Sequence, residues 1–162
     1  MGSKMPMIKQ IGWLSIIPQL MFLTLLIFIY YLFGIENYWL FGAITYLLIS
    51  FTLRNLIARE HRKGIICLRR QKYDEAIINF QKGYEFFNKY KWIDKYRYII
   101  LLSSTRITYR EMALCNIAFI YGQIGDGVKS EYYYTMALNE FPDSMIAKSV
   151  LNMINSIKDS EK

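Results

Sequence analysis

From Ile11 to Phe33 the chain runs 23 residues without a charged side chain. As an α-helix that run is about 34 Å long, enough to cross a hydrocarbon core of about 30 Å. Pro18 falls in its first turns, where a membrane helix absorbs it as a tilt or kink. A second uncharged run, Tyr38 to Leu53, follows Gly34-Ile35-Glu36-Asn37, a connection only long enough to reverse direction. Leu56 and Ile57 extend its apolar face, and Arg54 can reach the interface along its aliphatic stem. Trp13 at one end, and Tyr30, Tyr31, Tyr38 and Trp39 at the other, stand where aromatic side chains gather at membrane–water boundaries. A cleaved signal peptide fits poorly, because the run exceeds the usual apolar core of about 7–15 residues and lacks a small-residue cleavage pattern. The expectation is a transmembrane helical hairpin, residues 11–33 and 38–53, after a short N-terminal segment, 1–10.

The position of the charges separates membrane from nucleic acid as the partner of a basic chain. The net charge is +7. Lys4 and Lys9 precede the apolar runs, and Arg54, Arg59, Arg62, Lys63, Arg69, Arg70 and Lys72 follow them against Glu60 alone. From Tyr73 onward eleven positive side chains meet eleven negative ones. A nucleic-acid-binding domain carries its basic patch on the folded domain. Here the excess lies beside the membrane, where anionic head groups attract each Lys or Arg by about 1 kcal/mol. Arg54, Arg59, Arg62 and Lys63 are the expected head-group contacts, and no nucleic-acid partner is expected. Basic flanks and a turn carrying only Glu36 place both termini in the cytoplasm of an integral membrane protein.

Between Ala43 and Lys63 there is no Gly or Pro. The second membrane helix is therefore expected to continue unbroken into a water-facing helix ending near Gln71, with no flexible linker. Beyond it the pattern is helical throughout. Tyr73, Ala76, Ile77, Phe80 and Tyr84 recur at spacings of three and four, as do Met112, Cys115 and Phe119. No stretch alternates with a period of two, so an all-α fold is expected.

Residues 111–144 contain Leu114, Ile117-Ala118, Tyr121, Gly125, Ala137 and Pro142, with Tyr134 in an aromatic slot and Ser130 where a small alanine is usual. Residues 57–90 contain Gly64, Ala76, Phe80 and Gly83 at corresponding places, without the leading aromatic or the closing proline. This pattern resembles the tetratricopeptide repeat, a 34-residue helix–turn–helix unit that stacks into a solenoid. The two frames start 54 positions apart, leaving an insertion at 91–110. Residues 144–157, with Ile146, Val150, Met153, Ile154 and Ile157 on one face, look like the capping helix of such an array. Two repeats are fewer than usually suffice. The insertion, with Trp92, Tyr96, Tyr98 and Ile99 to Leu102, fits a further core helix, a dimer face or a segment on the bilayer.

The resemblance implies a water-facing domain over 54–162 whose first helices line a partner-binding groove. His61, Ile65, Leu68 and Arg69 would come from one repeat, and Met112, Cys115, Phe119 and Gln123 from the other. The guest would be an amphipathic helix or extended peptide with apolar anchors, making the protein an adaptor or scaffold at the cytoplasmic face of a membrane. A self-associating structural protein using 91–110, as a homo-oligomer, is the alternative; a subunit of a membrane enzyme or transporter is weaker, since neither span carries an internal charge.

No catalytic residue, cofactor or metal is expected. His61 is the single histidine, set in Arg59-Glu60-His61-Arg62-Lys63, a context that reads as a solvated face. Cys67 and Cys115 form no disulfide framework or metal motif and read as small buried hydrophobes. Asp94, Lys95, Arg97, Arg106, Arg110 and Glu111 bracket the insertion and read as a surface ion-pair network. Gly122 to Gly127 follows a helical pattern rather than a strand, so it is an interhelical turn and not a phosphate loop.

Overall fold

Helix α1, Ile16–Leu32, and helix α2, Tyr38–Ile57, take up the two uncharged runs. They belong to a computed structural model that describes residues 15–160. The segment 1–10, with Lys4 and Lys9, and residues 11–14, with Trp13, lie outside the described residues. Seven further helices follow: α3 (Arg59–Arg69), α4 (Tyr73–Lys89), α5 (Lys91–Lys95), α6 (Arg97–Ile100), α7 (Tyr109–Gln123), α8 (Gly127–Glu140) and α9 (Met145–Ser160). The described residues contain no strand. The chain divides into two compact units, one of Met1–Arg54 with Tyr96–Ile107, the other of Asn55–Lys95 with Thr108–Lys162.

In the first unit, contacts between α1 and α2 run in opposite senses along the two helices. Tyr31 meets Tyr38 edge-on, Tyr30 meets Phe41, the Tyr30 hydroxyl lies 2.8 Å from the Thr45 hydroxyl, and Phe22 meets Tyr46. Gly42 sets the separation. A Cβ there would stand 3.0 Å from the Ile27 backbone, so only the smallest residue permits this approach, as at many membrane helix contacts. The outward faces are apolar, with Leu20, Met21, Phe28, Leu47, Leu48 and Phe51 all exposed. Among the described residues α2 is the one helix both long and apolar enough to cross a membrane; α1, also apolar, is shorter at 17 residues.

The expected unbroken continuation of the second apolar helix to near Gln71 does not form. Helix α2 ends at Ile57, Ala58 takes φ −94°, ψ 25°, and α3 starts anew at Arg59. Ala58 is buried, and the break carries no Gly or Pro to announce it. The insertion is not one further core helix either. Helix α5 belongs to the second unit, whereas α6 and the turn after it group with α1 and α2.

In the second unit α3 packs on α4, α4 on α7, α7 on α8 and α8 on α9, while α3 and α7 barely touch. Two apolar clusters lie between these layers. One joins Ala76, Ile77 and Phe80 to Ala113, Ile117 and Ile120; the other joins Leu114, Cys115 and Ala118 to Tyr134, Ala137 and Ala147. Helix α7 is thus covered on two sides.

The pairs α3–α4 and α7–α8 share a helix-end geometry and a burial pattern. After α7, Gly125 takes φ +83°, its N–H donates to the Gly122 carbonyl, and the Asp126 N–H donates to that of Tyr121. After α3, Gln71 takes φ +58°, with Gln71 N–H to Leu68 and Lys72 N–H to Cys67. Both are Schellman caps, which satisfy carbonyls left over at a helix end. They stand 54 positions apart. At the same offset Gly64 matches Ala118, Ala76 matches Ser130, Phe80 matches Tyr134 and Gly83 matches Ala137, and all eight are buried. Helix α9 is preceded by Ser144, whose side chain accepts from the Ala147 N–H at 3.4 Å. It packs through Ile146, Ala147, Val150 and Leu151. Met153 and Ile157, expected on its buried face, are exposed, although Lys158 in its last turn still reaches Glu131 of α8 at 2.6 Å.

The glycines of α3 and α4 make a matched prediction. A Cβ on Gly64 would stand 2.7 Å from the ring of fully buried Phe80, so Gly64→Ala should destabilise the protein by about 1–3 kcal/mol through overpacking. A Cβ on Gly83 would meet the His61 backbone nitrogen at 3.5 Å, an ordinary contact. Gly83→Ala should then stabilise by about 0.5–1 kcal/mol, the usual gain in a helix interior. Denaturant unfolding of the full chain in detergent checks both; equal effects from the two substitutions would refute this packing.

Candidate functional site

Helix α3 buries Gly64 against Phe80 and rests Ile65 and Leu68, both half-buried, on the first cluster. Arg59, Arg62, Ile66 and Arg69 are left exposed along its other side. Helix α7 turns Ala113, Ile117 and Ile120 to one cluster and Leu114, Cys115 and Ala118 to the other. What remains is a stripe of half-buried Met112, Asn116 and Phe119 with exposed Gln123, spaced by four, three and four residues. That spacing is one face of a helix.

The expected groove residues therefore divide. Met112, Phe119, Gln123 and Arg69 lie on accessible faces, and Ile65 and Leu68 are reached only at their edges. His61 and Cys115 do not line an accessible surface. Both occupy the same repeat position, at which α3 and α7 turn inward against α4 and α8. Sequence reasoning passed over Asn116 and Ile66, which the same 3.6-residue period would have placed on the accessible stripes.

His61 packs edge-on against Phe80 and Tyr109, both at 5.4 Å between ring centres, and is 9 % exposed. Among the described residues its Nδ1 meets no hydrogen-bond partner. Burial lowers its pKa to about 4, so the ring is neutral at pH 7. The solvated-face reading is corrected: charged neighbours in sequence point to other sides of the same helix. Burial, with help from the Glu111 charge, pushes the Cys115 thiol up to about 12, leaving it an unreactive thiol at neutral pH.

Of the polar residues expected as a surface network around the insertion, Lys95 and Arg106 are exposed, whereas Asp94, Arg97 and Glu111 are buried. Asp94, 1 % exposed, accepts from the Tyr109 N–H at 2.8 Å and the Arg110 N–H at 3.2 Å, capping the start of α7. The Thr108 side chain accepts from the Glu111 N–H at 3.2 Å, the first half of a capping box. Arg110 joins Asp94 to Glu140, lies 5.1 Å from the centre of the Phe141 ring, and the Tyr84 hydroxyl donates to Glu140 at 2.8 Å. This cluster ties α4, α5, α7 and α8 together behind the accessible stripe.

Of the expected head-group contacts, Arg59 and Arg62 are exposed, and Lys63 pairs with Glu60 at 2.9 Å. Arg54 is engaged elsewhere. Its Nε donates to the Leu101 carbonyl at 3.3 Å and its Nη2 to that of Leu102. Among the described residues no three His, Cys, Asp or Glu side chains gather as a metal-binding group.

No family model matches the chain, and neither a curated protein nor a solved structure is detectably similar to it.

Proposed function

We propose that this protein is a membrane-anchored adaptor: α1 and α2 form a transmembrane hairpin, and the helices after them form a tetratricopeptide-like array that holds a protein partner at the cytoplasmic face. The observation that carries this reading is the repeated helical pair. The same caps and the same buried small and aromatic residues recur 54 positions apart, and each pair leaves one side of its first helix uncovered. Met112, Asn116, Phe119 and Gln123 offer apolar anchors flanked by amides, a surface suited to an amphipathic helix or extended peptide. Arg59, Arg62 and Lys63 are basic residues of the kind that meet anionic head groups, and with Glu36 in the turn they favour a cytoplasmic location of both termini. Binding rather than catalysis is favoured, since His61 and Cys115, the side chains best suited to proton transfer or nucleophilic attack, are buried and neutral.

The test is affinity capture of the full chain from crosslinked membranes, beside Phe119→Arg. The variant should stay in the membrane through an alkaline wash yet lose a distinct protein that the parent recovers. Capture of the same proteins by both would sink the adaptor reading. Self-association through residues 91–110 is the second reading, favoured by apolar side chains exposed there, Ile99 among them. A strict monomer by molar mass in detergent eliminates it.

A further inference from the structure

We propose that α6 and the turn after it, residues 96–104, are a membrane-surface segment, with Tyr96 and Ile99 seated among lipid head groups and upper acyl chains while Gln19 and Arg54 hold the carbonyls beneath. The proposal rests on the reading of α1 and α2 as membrane spans.

Leu102 takes φ +46°, a conformation unusual for a residue with a branched side chain and one that persists only where its surroundings enforce it. Its carbonyl accepts from two side chains of different helices, Gln19 Nε2 at 3.2 Å and Arg54 Nη2. Gln19 also reaches the Ser104 hydroxyl at 3.2 Å, and Arg54 Nε the Leu101 carbonyl at 3.3 Å. The turn is closed from within as well. Arg97, itself buried, donates to the carbonyls of Thr105, at 3.0 Å, and of Arg106, while its own carbonyl accepts from the Ser103 N–H at 3.2 Å. Leu101 and Leu102 are buried.

Leu101 and Leu102 are shielded by the protein itself, so their carbonyls must find protein donors. Where water is scarce, irregular backbone survives only if protein groups satisfy it. Gln19 and Arg54 come from otherwise apolar helices and are both committed to that task. Helix α6 packs on α1, and Gln19 places it at the end of α1 opposite the Gly34–Asn37 connection. Both elements carry exposed apolar side chains, Ile16, Ile17 and Leu20 on α1 and Ile99, 62 % exposed, on α6, with Tyr96 exposed just before it. A tyrosine beside an aliphatic residue at this level suits a membrane–water boundary.

The test attaches an environment-sensitive fluorophore at Ile99→Cys in a Cys67→Ser, Cys115→Ala background. The full chain is reconstituted in vesicles of phosphatidylcholine and phosphatidylglycerol, with Leu47→Cys as the reference within α2. The Ile99 probe should emit to the blue, lose much of its emission when brominated phosphatidylcholine replaces the ordinary lipid, and resist aqueous iodide. Tyr96→Cys, probed the same way, guards against displacement of α6 by the label at 99. Quenching by iodide but not by brominated lipid, with Leu47 quenched by lipid, overturns the proposal and leaves the membrane reading standing. Shielding from both quenchers, again with Leu47 quenched by lipid, means that a protein surface covers α6 and also overturns it. If Leu47 itself escapes the brominated lipid, the membrane reading falls and this inference with it.

Discussion

Arg110→Ala should lower the unfolding free energy by about 3–5 kcal/mol, the range seen when one partner of a buried ion pair is removed. Asp94 is 1 % exposed and carries its charge against the backbone N–H groups of Tyr109 and Arg110 and the Arg110 guanidinium, 3.4 Å away. Removing the guanidinium takes this cation from the buried Asp94 carboxylate and from Glu140, which keeps the Tyr84 hydroxyl as a donor. The Phe141 ring loses the cation above it. Adding Asp94→Asn should recover part of the loss, because the amide oxygen still accepts from the Tyr109 N–H while the buried charge disappears. Denaturant titrations of the parent, Arg110→Ala, Asp94→Asn and the double variant form a cycle. Additive effects would show that the two side chains act separately and would refute a shared cluster.

Lowering the pH should weaken the protein through His61. In the unfolded chain its ring titrates near 6.5; in the folded protein burial between Phe80 and Tyr109 lowers the value to about 4. Between those pH values the unfolded chain binds a proton that the folded chain refuses. Stability from this group is therefore complete above pH 6.5, falls as the pH drops toward 4, and levels off below. The whole span amounts to about 3 kcal/mol. His61→Phe keeps an aromatic ring edge-on to Phe80 and Tyr109 and removes the unpartnered Nδ1. Plotted against pH, the stability difference between variant and parent should grow across this window, since carboxylates common to both cancel. A difference that does not change with pH would mean that His61 is hydrated in the folded state.

Much of this fold could be read from the chain because the signals were local or periodic. Gly125 marks a helix end because an αL cap favours glycine, and the helical pattern before it, with no strand, kept Gly122 to Gly127 from being taken for a phosphate loop. Its counterpart Gln71 carries the same cap without that mark, so the turn after α3 was harder to see. The accessible stripe on α7 was half legible: Met112, Phe119 and Gln123 follow from the period. Cys115 sits one step around the helix from Phe119, and its burial depends on α8 and α9 rather than on α7.

Run lengths, the reversal at Gly34–Asn37, the all-helical character and the 54-residue spacing are properties of neighbours along the chain, and the sequence by itself determined them. The break at Ala58, the burial of His61 among charged neighbours, the seating of Asp94 under α7 and the engagement of Arg54 with two carbonyls were decided only by tertiary structure. Each depends on residues far away in sequence, as Arg54 does on Leu101 and Leu102, 47 and 48 positions on. A polar side chain is recruited inward when folding brings a backbone group within reach that water cannot serve, and no local pattern records that encounter.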